Sequence, residues 1–406
     1  MTEASVHAEG DVQQSRISDV IRASAEHDLK VLEKYIDEYS FPECKVVDVQ
    51  DVATGYTPLH AAIASCRPTD SGHEPESSAK LDAAAATLRF MLENGAIWNQ
   101  LDKNDETPGC IAYHLSLSDL YQIMVDAGVR AEMILNRLEE YDRMEDEDED
   151  ENEDENENET QNDSENKGGT NGESAHQEPA STAQPEVNGS AYLSSALSLS
   201  GDKLLDEQQN GVMMVWESGI MQKSADALLY DPGLRILNIG FGMGIIDSHI
   251  QTHSKRPAGH HIVEAHPDVL EKMKKDGWMD KAGVVVHSGK WQEVLPRLAA
   301  EGEMFDAIYF DTFAESYSEF RQFFSEQVLS LLEESGRWSF FNGMGADRQI
   351  SYDVYQTVVE MDLFEAGFNV EWKDVELPKL DQEWDGVRRK YWDVDHYRLP
   401  VCRFMD

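Results

Sequence analysis

The chain has 406 residues, 79 acidic against 34 basic side chains, and a formal net charge of −45. That length accommodates two domains with separate cores. The acidity argues against holding nucleic acid, because phosphate contacts need Lys and Arg. No apolar run approaches membrane-spanning length, and residues 1–10 lack the basic start and apolar stretch of a secretory signal. The cysteines Cys44, Cys66, Cys110 and Cys402 show no Cys-x-x-Cys spacing, which argues against a zinc site or disulfide framework and fits a reducing compartment.

Residues 1–14 are expected to be disordered. Residues 15–142 read as helical, and within them Thr57-Pro58-Leu59-His60-Ala61-Ala62 matches the Thr-Pro-Leu-His-x-Ala signature that opens an ankyrin repeat. Thr and Pro make the turn into the first helix, and His can bond back across it. The stretch Leu88-Arg89-Phe90-Met91-Leu92-Glu93-Asn94-Gly95 reads as the second helix with a glycine cap. A second copy starts at Thr107-Pro108, with residues 120–128 as its second helix and Gly128 as its cap. The separation of Thr57 from Thr107 exceeds the usual period of about 33, which a polar insertion over residues 67–78 explains. Residues 20–39 supply one more helix pair. Even so, the array falls short of the three or so repeats that stand alone, so capping helices or docking on the rest of the protein are expected.

Fourteen of the twenty-two residues from 145 to 166 are Asp or Glu. Such a segment repels itself and has little apolar surface to bury. Together with the Gly-, Ser- and Pro-bearing stretch that follows, residues 143–188 read as an acidic disordered linker. It is a solvated spacer, or a surface for a basic protein partner.

Residues 189–406 alternate strand and helix patterns. Strands are expected at 234–239, 259–264, 283–287, 306–310 and 337–341, with helices at 245–253, 267–276, 291–300 and 320–332 between them. This alternation predicts a parallel sheet covered by helices on both faces. Residues 369–377 and 397–404 can pair antiparallel, a feature of methyltransferase sheets rather than dehydrogenase ones.

The first of these strands runs into Gly240-Phe241-Gly242-Met243-Gly244 and then a helix, so the backbone can approach a ligand at a helix N-terminus. The loop lacks the full Gly-x-Gly-x-x-Gly spacing that makes room for a dinucleotide pyrophosphate. Glu264 ends the second strand, placed for the ribose hydroxyls of an adenosine ligand. Asp311 directly follows the fourth strand, where ligand crevices of open parallel sheets lie; otherwise it caps the next helix. Glu217 stands in the apolar stretch Val212-Met213-Met214-Val215-Trp216-Glu217-Ser218-Gly219-Ile220-Met221, and could instead occupy the exposed face of a helix.

With these residues in view, the region from about Tyr192 onward resembles guanidinoacetate methyltransferase in its Trp-Glu…Met stretch, its Gly-Phe-Gly-Met loop and its Asp-Thr-aromatic turn. The whole chain except the acidic linker is similar to the fungal protein arginine N-methyltransferase 2 family, the type IV or arginine δ-N-methyltransferases. That resemblance implies an α/β, seven-stranded Rossmann-like class I methyltransferase domain preceded by an all-α ankyrin-repeat region. It also implies S-adenosylmethionine as cofactor, a basic arginine-bearing protein, such as a ribosomal one, as substrate, and a cytoplasmic and nuclear location. Under it, Phe241, Gly242, Met243, Gly244, Ile245 and Ile246 would cradle the methionine portion of the cofactor. Glu264, Ala265 and His266 would hold its ribose and adenosine edge, Trp291 and Gln292 its adenine, and Tyr192 and Met221 would close over it. Asp311 would border the cofactor and, with Glu217, grip the acceptor guanidinium.

The chemistry of a guanidinium independently suits that last pair. The group is planar, presents a fork of N–H donors that matches carboxylates, and is protonated at neutral pH, hence a poor nucleophile. Two carboxylates can orient it, draw charge from the attacking nitrogen and accept its proton. Asp311, at the end of a rigid strand, is the first choice for acceptor of that proton, and Glu217 for anchor. Two other readings remain: methylation of a small guanidino metabolite, and an ankyrin adaptor whose methyltransferase fold only binds cofactor.

Overall fold

The computed structural model describes residues 3–42, 44–67, 78–156 and 189–405. The polar insertion at 68–77 and the linker residues 157–188 lie outside them. The chain divides into two compact units, residues 1–134 with 348–355, and residues 135–347 with 356–406.

The N-terminal unit is helical. Its elements are α1 (Glu3–Ala25), α2 (Leu29–Glu38), α3 (Pro58–Ala64), α4 (Ser78–Glu93), α5 (Pro108–His114) and α6 (Ser118–Asn156). Both Thr-Pro pairs start helices as expected. The Thr57 hydroxyl accepts from the His60 N–H at 3.4 Å, and the Thr107 hydroxyl from the Cys110 N–H at 3.2 Å. Pro occupies the first helical position in each, where its missing N–H costs nothing. The His60 ring takes the Thr57 N–H on Nδ1 and reaches the Glu106 carbonyl with Nε2 at 3.0 Å, so it ties the first turn to the second. Helix α3 packs against α1, α4 and α5, and Val20, Leu32, Phe41, Val46 and Val49 fill a core beside it.

Three expectations differ here. Helix α1 already contains residues 3–14: Glu, Ala and Gln are good helix formers, and extension from the packed turn at Val20 and Ala23 is easier than nucleation. Gly128 does not cap a helix but lies inside α6, close against the Trp98 ring, where a Cβ would come within 3.2 Å of it. The backbone of α6 continues to Asn156, into the acidic stretch, because Glu keeps a high helix propensity and propagation adds a bond per residue.

The C-terminal unit takes α6 from Leu135 onward, then α7 (Gly189–Ser194) and an antiparallel sheet of β1 (Ser198–Ser200), β2 (Lys203–Leu205) and β3 (Gly211–Met214). A single 3-10 turn, Val215–Glu217, leads into α8 (Ser218–Leu228). The alternating part follows: β4 (Arg235–Ile239), α9 (Ile245–Thr252), β5 (Gly259–Glu264), α10 (Pro267–Lys275), β6 (Val284–Ser288), α11 (Trp291–Ala300), β7 (Phe305–Phe310), α12 (Tyr317–Gln322), β8 (Leu332–Phe340), α13 (Gln349–Glu365), β9 (Phe368–Glu376) and β10 (His396–Phe404).

The main sheet has the order β6-β5-β4-β7-β8-β10-β9, parallel throughout except for β10, which runs antiparallel to both neighbours. This is the seven-stranded, mostly parallel Rossmann-like sheet expected of a class I methyltransferase. Leu237, Ile239, Ile308 and Phe310 face one core, and Ile236, Ala307 and Tyr309 face the other. The chain moves outward from β4 to β6, then returns to β7 on the other side of β4. That reversal opens a crevice at the carboxyl ends of β4, β5 and β7.

The helix expected at 320–332 begins earlier, at Tyr317, where Ser316 and Glu319 form a reciprocal cap. It then widens into a π-helical turn, Phe323–Val328, and β8 starts at Leu332 rather than near residue 337.

Candidate active site

The glycine loop is held from below by a buried polar network. Asn238, facing inward from β4, donates its amide to the Gly240 carbonyl and to the Asp247 carboxylate, each at 2.9 Å. His260 places Nε2 3.0 Å from the same carboxylate, and Gln251 reaches its Nδ1 at 2.9 Å. Gly240, Gly242 and Gly244 all have positive φ, and Gly244 starts α9. Glu264 closes the loop from the end of β5. Its Oε2 accepts from the N–H groups of Phe241 (2.9 Å) and Gly242 (3.3 Å), and its Oε1 from that of His266 (2.6 Å). Burial raises the pKa of this carboxyl, while those backbone donors pull it back. A carboxylate has about four acceptor positions, so Glu264 retains capacity for a ligand hydroxyl.

A cavity of about 700 Å³ opens at the carboxyl ends of β4, β5 and β7. It brings together, from the residues singled out in the sequence, Tyr192, Glu217, Gly242, Glu264, Ala265, Trp291, Gln292 and Asp311. Tyr192 packs its ring against His266 (4.8 Å between centroids) and Phe313 (4.9 Å). His266 itself is buried behind the wall, with Nε2 on the Tyr192 carbonyl at 3.1 Å.

The other residues singled out do not line the cavity. Met221 and Ile246 are buried in the core beneath α8 and α9, and Ile245 packs against that same core, because helical periodicity turns those side chains towards the sheet, while Met243, in the turn before α9, packs there as well. The Phe241 ring packs edge-on against Trp278 at 5.1 Å and offers the site only its backbone, and Gly244 serves as the helix start.

Glu217 and Asp311 face the cavity from opposite sides of the chain's topology, the 3-10 turn before α8 and the end of β7. Glu217 is buried, not on an exposed helix face. Its Oε1 accepts from the Met214 N–H at 2.9 Å and from the Tyr391 hydroxyl. Burial first, then the nearby charge of Asp311, pushes its pKa up to about 8. Burial, then the charge of Asp247, pushes that of Asp311 up to about 7. Asp311 does not cap a helix, since α12 is capped by Ser316; its Oδ2 is buried without a hydrogen-bond partner. An acceptor with no donor in a cavity wall favours a cationic, donor-rich ligand.

Further acidic and aromatic groups line the cavity without having been singled out as site residues, among them Phe313, Glu315, Glu319, Phe341 and Tyr391. Glu315 takes the Trp291 indole N–H on both carboxylate oxygens, at 2.8 and 2.9 Å, and burial pushes its pKa up to about 7. The strand-to-helix position of Asp311 placed 312–316 near the site, so Glu315 was within reach of sequence reasoning. Tyr391 comes from an irregular segment with no local signal.

The lining carries Glu217, Glu264, Asp311, Glu315 and Glu319 against the single lysine Lys290. An acid-lined, partly apolar cleft with a glycine turn and a carboxyl group at the end of β5 fits S-adenosylmethionine, whose cationic sulfonium favours ionised carboxylates nearby and whose ribose offers two hydroxyls. No group of three or more His, Cys, Asp or Glu able to hold a metal ion occurs among the described residues.

Comparison with known proteins agrees with this geometry. The family model described as guanidinoacetate N-methyltransferase matches residues 194–395. "Protein arginine N-methyltransferase 2" of Aspergillus oryzae is 54% identical, across 96% of this chain and 97% of that protein. Its namesake from Aspergillus fumigatus is 52% identical over 96% of each chain. That from Saccharomyces cerevisiae is 38% identical over 86% of this chain and 83% of that protein. The similarity runs through both units, and the chain belongs to the protein arginine N-methyltransferase 2 family, S-adenosylmethionine-dependent methyltransferases.

Proposed function

We propose that the protein transfers the methyl group of S-adenosylmethionine to the δ nitrogen of arginine residues in proteins, with basic ribosomal-type proteins as substrates. The observation that carries this reading is the pair Glu217, buried, and Asp311, half-buried with its Oδ2 shielded from solvent, lining one cavity. In such a site an incoming guanidinium restores the ionised form of both. Its fork of N–H donors matches the two groups, and Asp311, with its unpartnered Oδ2, is the group that accepts the proton released on transfer. The cofactor supplies an electrophilic methyl. The protein's part is to orient the acceptor nitrogen, exclude water and remove the proton. The choice of the δ over the ω nitrogen comes from the family resemblance.

A protein substrate is favoured by what precedes the catalytic unit. The helical N-terminal unit, which we read as an ankyrin-type region on the Thr-Pro caps and the His60 link, and the acidic linker are additions that a small-metabolite enzyme does not need. They suit a basic protein partner. The same reading puts the protein in the cytoplasm and nucleus, where a fluorescently tagged chain would be seen. The match to the guanidinoacetate N-methyltransferase model favours a second reading, a small guanidino metabolite as acceptor.

One experiment separates these. The protein is incubated with methyl-labelled cofactor and either cell extract or guanidinoacetate, and labelled protein is hydrolysed and its methylarginines chromatographed. Label in protein as δ-methylarginine is the expected result. Label confined to guanidinoacetate overturns the protein-substrate reading, label in ω-methylarginine overturns the choice of nitrogen, and no label at all favours a non-catalytic adaptor.

A further inference from the structure

Residues 377–395, between β9 and β10, have no regular structure, yet they are tied down. Arg388 donates its backbone N–H to the Gln209 carbonyl at 2.9 Å, its Nε to Asn210 Oδ1 at 3.2 Å and a terminal guanidinium nitrogen to Gln208 Oε1 at 3.0 Å. Lys203 reaches the Asp385 carbonyl at 2.7 Å, and the Asp393 N–H reaches the Ala346 carbonyl at 2.6 Å. The turn that receives Arg388 is itself fixed, because Asp206 accepts from the Gln208 and Asn210 N–H groups and from the Asn210 amide, each at 2.8 Å. The segment is therefore a strap laid over the β2–β3 turn, not a free loop.

What the strap delivers is Tyr391. Its ring lies edge-on to Trp384 at 4.9 Å and is inclined 29° to that of Trp216 at 6.2 Å. It is also seated against the backbone of Gly211, where a Cβ would come within 2.8 Å of the ring. Its hydroxyl donates to Glu217, and burial pushes its pKa up, so it stays a donor. Both donors that reach Glu217, the Met214 N–H and this hydroxyl, go to the same oxygen, Oε1.

We propose that Tyr391 is a positioning residue of the acceptor pocket: by holding Oε1 of Glu217 together with the Met214 N–H, it turns Oε2 towards the acceptor guanidinium. The proposal rests on the reading of Glu217 as guanidinium anchor. It makes the strap, through Arg388, part of the machinery that sets acceptor geometry, while donor binding is left to the glycine loop and Glu264.

The groups facing Glu217 are Asp311 from the end of β7, Tyr309 within β7, Met214 from β3 and Tyr391 from the strap. Of these, Tyr391 and Met214 favour the ionised carboxylate, and burial with the charge of Asp311 opposes it. Removing the hydroxyl must therefore raise the pKa of Glu217 and move the acid limb of the pH profile to higher pH.

The test compares Tyr391→Phe, Arg388→Ala and Glu217→Gln in the full chain, with a total ribosomal-protein fraction as acceptor. Tyr391→Phe keeps the ring contacts and should lower kcat/KM for the acceptor by about tenfold, leave cofactor affinity by calorimetry within about twofold, and shift the acid limb upward. Arg388→Ala leaves the hydroxyl in place but loosens the strap, and should act in the same direction; it decides the matter if Tyr391→Phe does not fold. An acid limb unmoved in both variants, with Glu217→Gln inactive, overturns the proposal and leaves Glu217 its role. Full turnover by Glu217→Gln overturns the reading of Glu217 and the proposal together.

Discussion

Gly240 and Asp311 compete for the same space: a Cβ on Gly240 would overlap the carbonyl oxygen of Asp311 and lie 2.8 Å from its carbonyl carbon. The neighbouring bonds, Asp311 N–H to the Ile239 carbonyl and Gly240 N–H to the Val263 carbonyl, each at 2.9 Å, fix both backbones. The glycine loop and the acid at the end of β7 are thus one mechanical unit. Gly240→Ala should destabilise the protein by about 2 kcal/mol or more, since positive φ and a backbone overlap add, and should displace Asp311. Urea unfolding and turnover measured together check it; a native midpoint with native activity contradicts the coupling.

Asp311→Asn keeps the shape but removes the base. Transfer should fall by about 10²–10⁴-fold, while cofactor binding is partly retained. Single-turnover kinetics beside calorimetric cofactor titration read the two separately. Near-normal turnover in this variant removes Asp311 from the mechanism.

The raised carboxyls set opposite trends with pH. Glu217, up to about 8, and Asp311, up to about 7, must be ionised to hold a guanidinium, so kcat/KM should rise with pH through that window. Stability should move the other way. Each group binds its proton more tightly folded than unfolded, so its contribution is complete below the unfolded carboxyl pKa and is lost as pH rises through the folded value. Thermal unfolding followed from about pH 4 to about pH 8, between the unfolded and the folded carboxyl values, should show this fall, and a guanidinium-bearing ligand should lessen it. A melting temperature that climbs over the same interval would speak against neutral carboxyls in the protein without added ligand.

Glu264→Ala strips three backbone N–H groups of their acceptor at once. Unsatisfied donors cost about 1–3 kcal/mol each where water cannot reach them, so both stability and cofactor affinity should drop. Calorimetry should show at least about tenfold weaker cofactor binding; a change confined to acceptor KM would place Glu264 elsewhere in the reaction.

The parallel strands were legible because short, largely apolar runs such as Ile236-Leu237-Asn238-Ile239 end abruptly at glycine or an acid. Asp311 was legible for the same reason, as a carboxyl at the ligand end of a strand. The residues that went astray were those whose direction depends on packing. Met221 and Ile246 lie near the site in sequence, but their helices turn them into the core. Phe241 contributes an N–H, which no side-chain pattern reveals. Tyr391 meets Glu217 across 174 positions, from a segment without periodicity, so only the folded strap brings it into view. In the N-terminal unit the Thr-Pro helix starts are readable from local chemistry, whereas Gly128 mimics a cap in sequence although neighbouring side chains, a Val354 methyl and the Trp98 ring, are what leave no room for a Cβ.

The position of β10 bears on how the chain is made. It is synthesised after both β8 and β9, yet it lies between them in the sheet. Until it emerges from the ribosome, β9 has no hydrogen-bonding partner and β8 presents a bare edge, the kind of surface that templates aggregation. The catalytic unit therefore closes its sheet only after translation has passed residue 404, which makes the nascent chain a natural client for chaperones that shield unpaired strands.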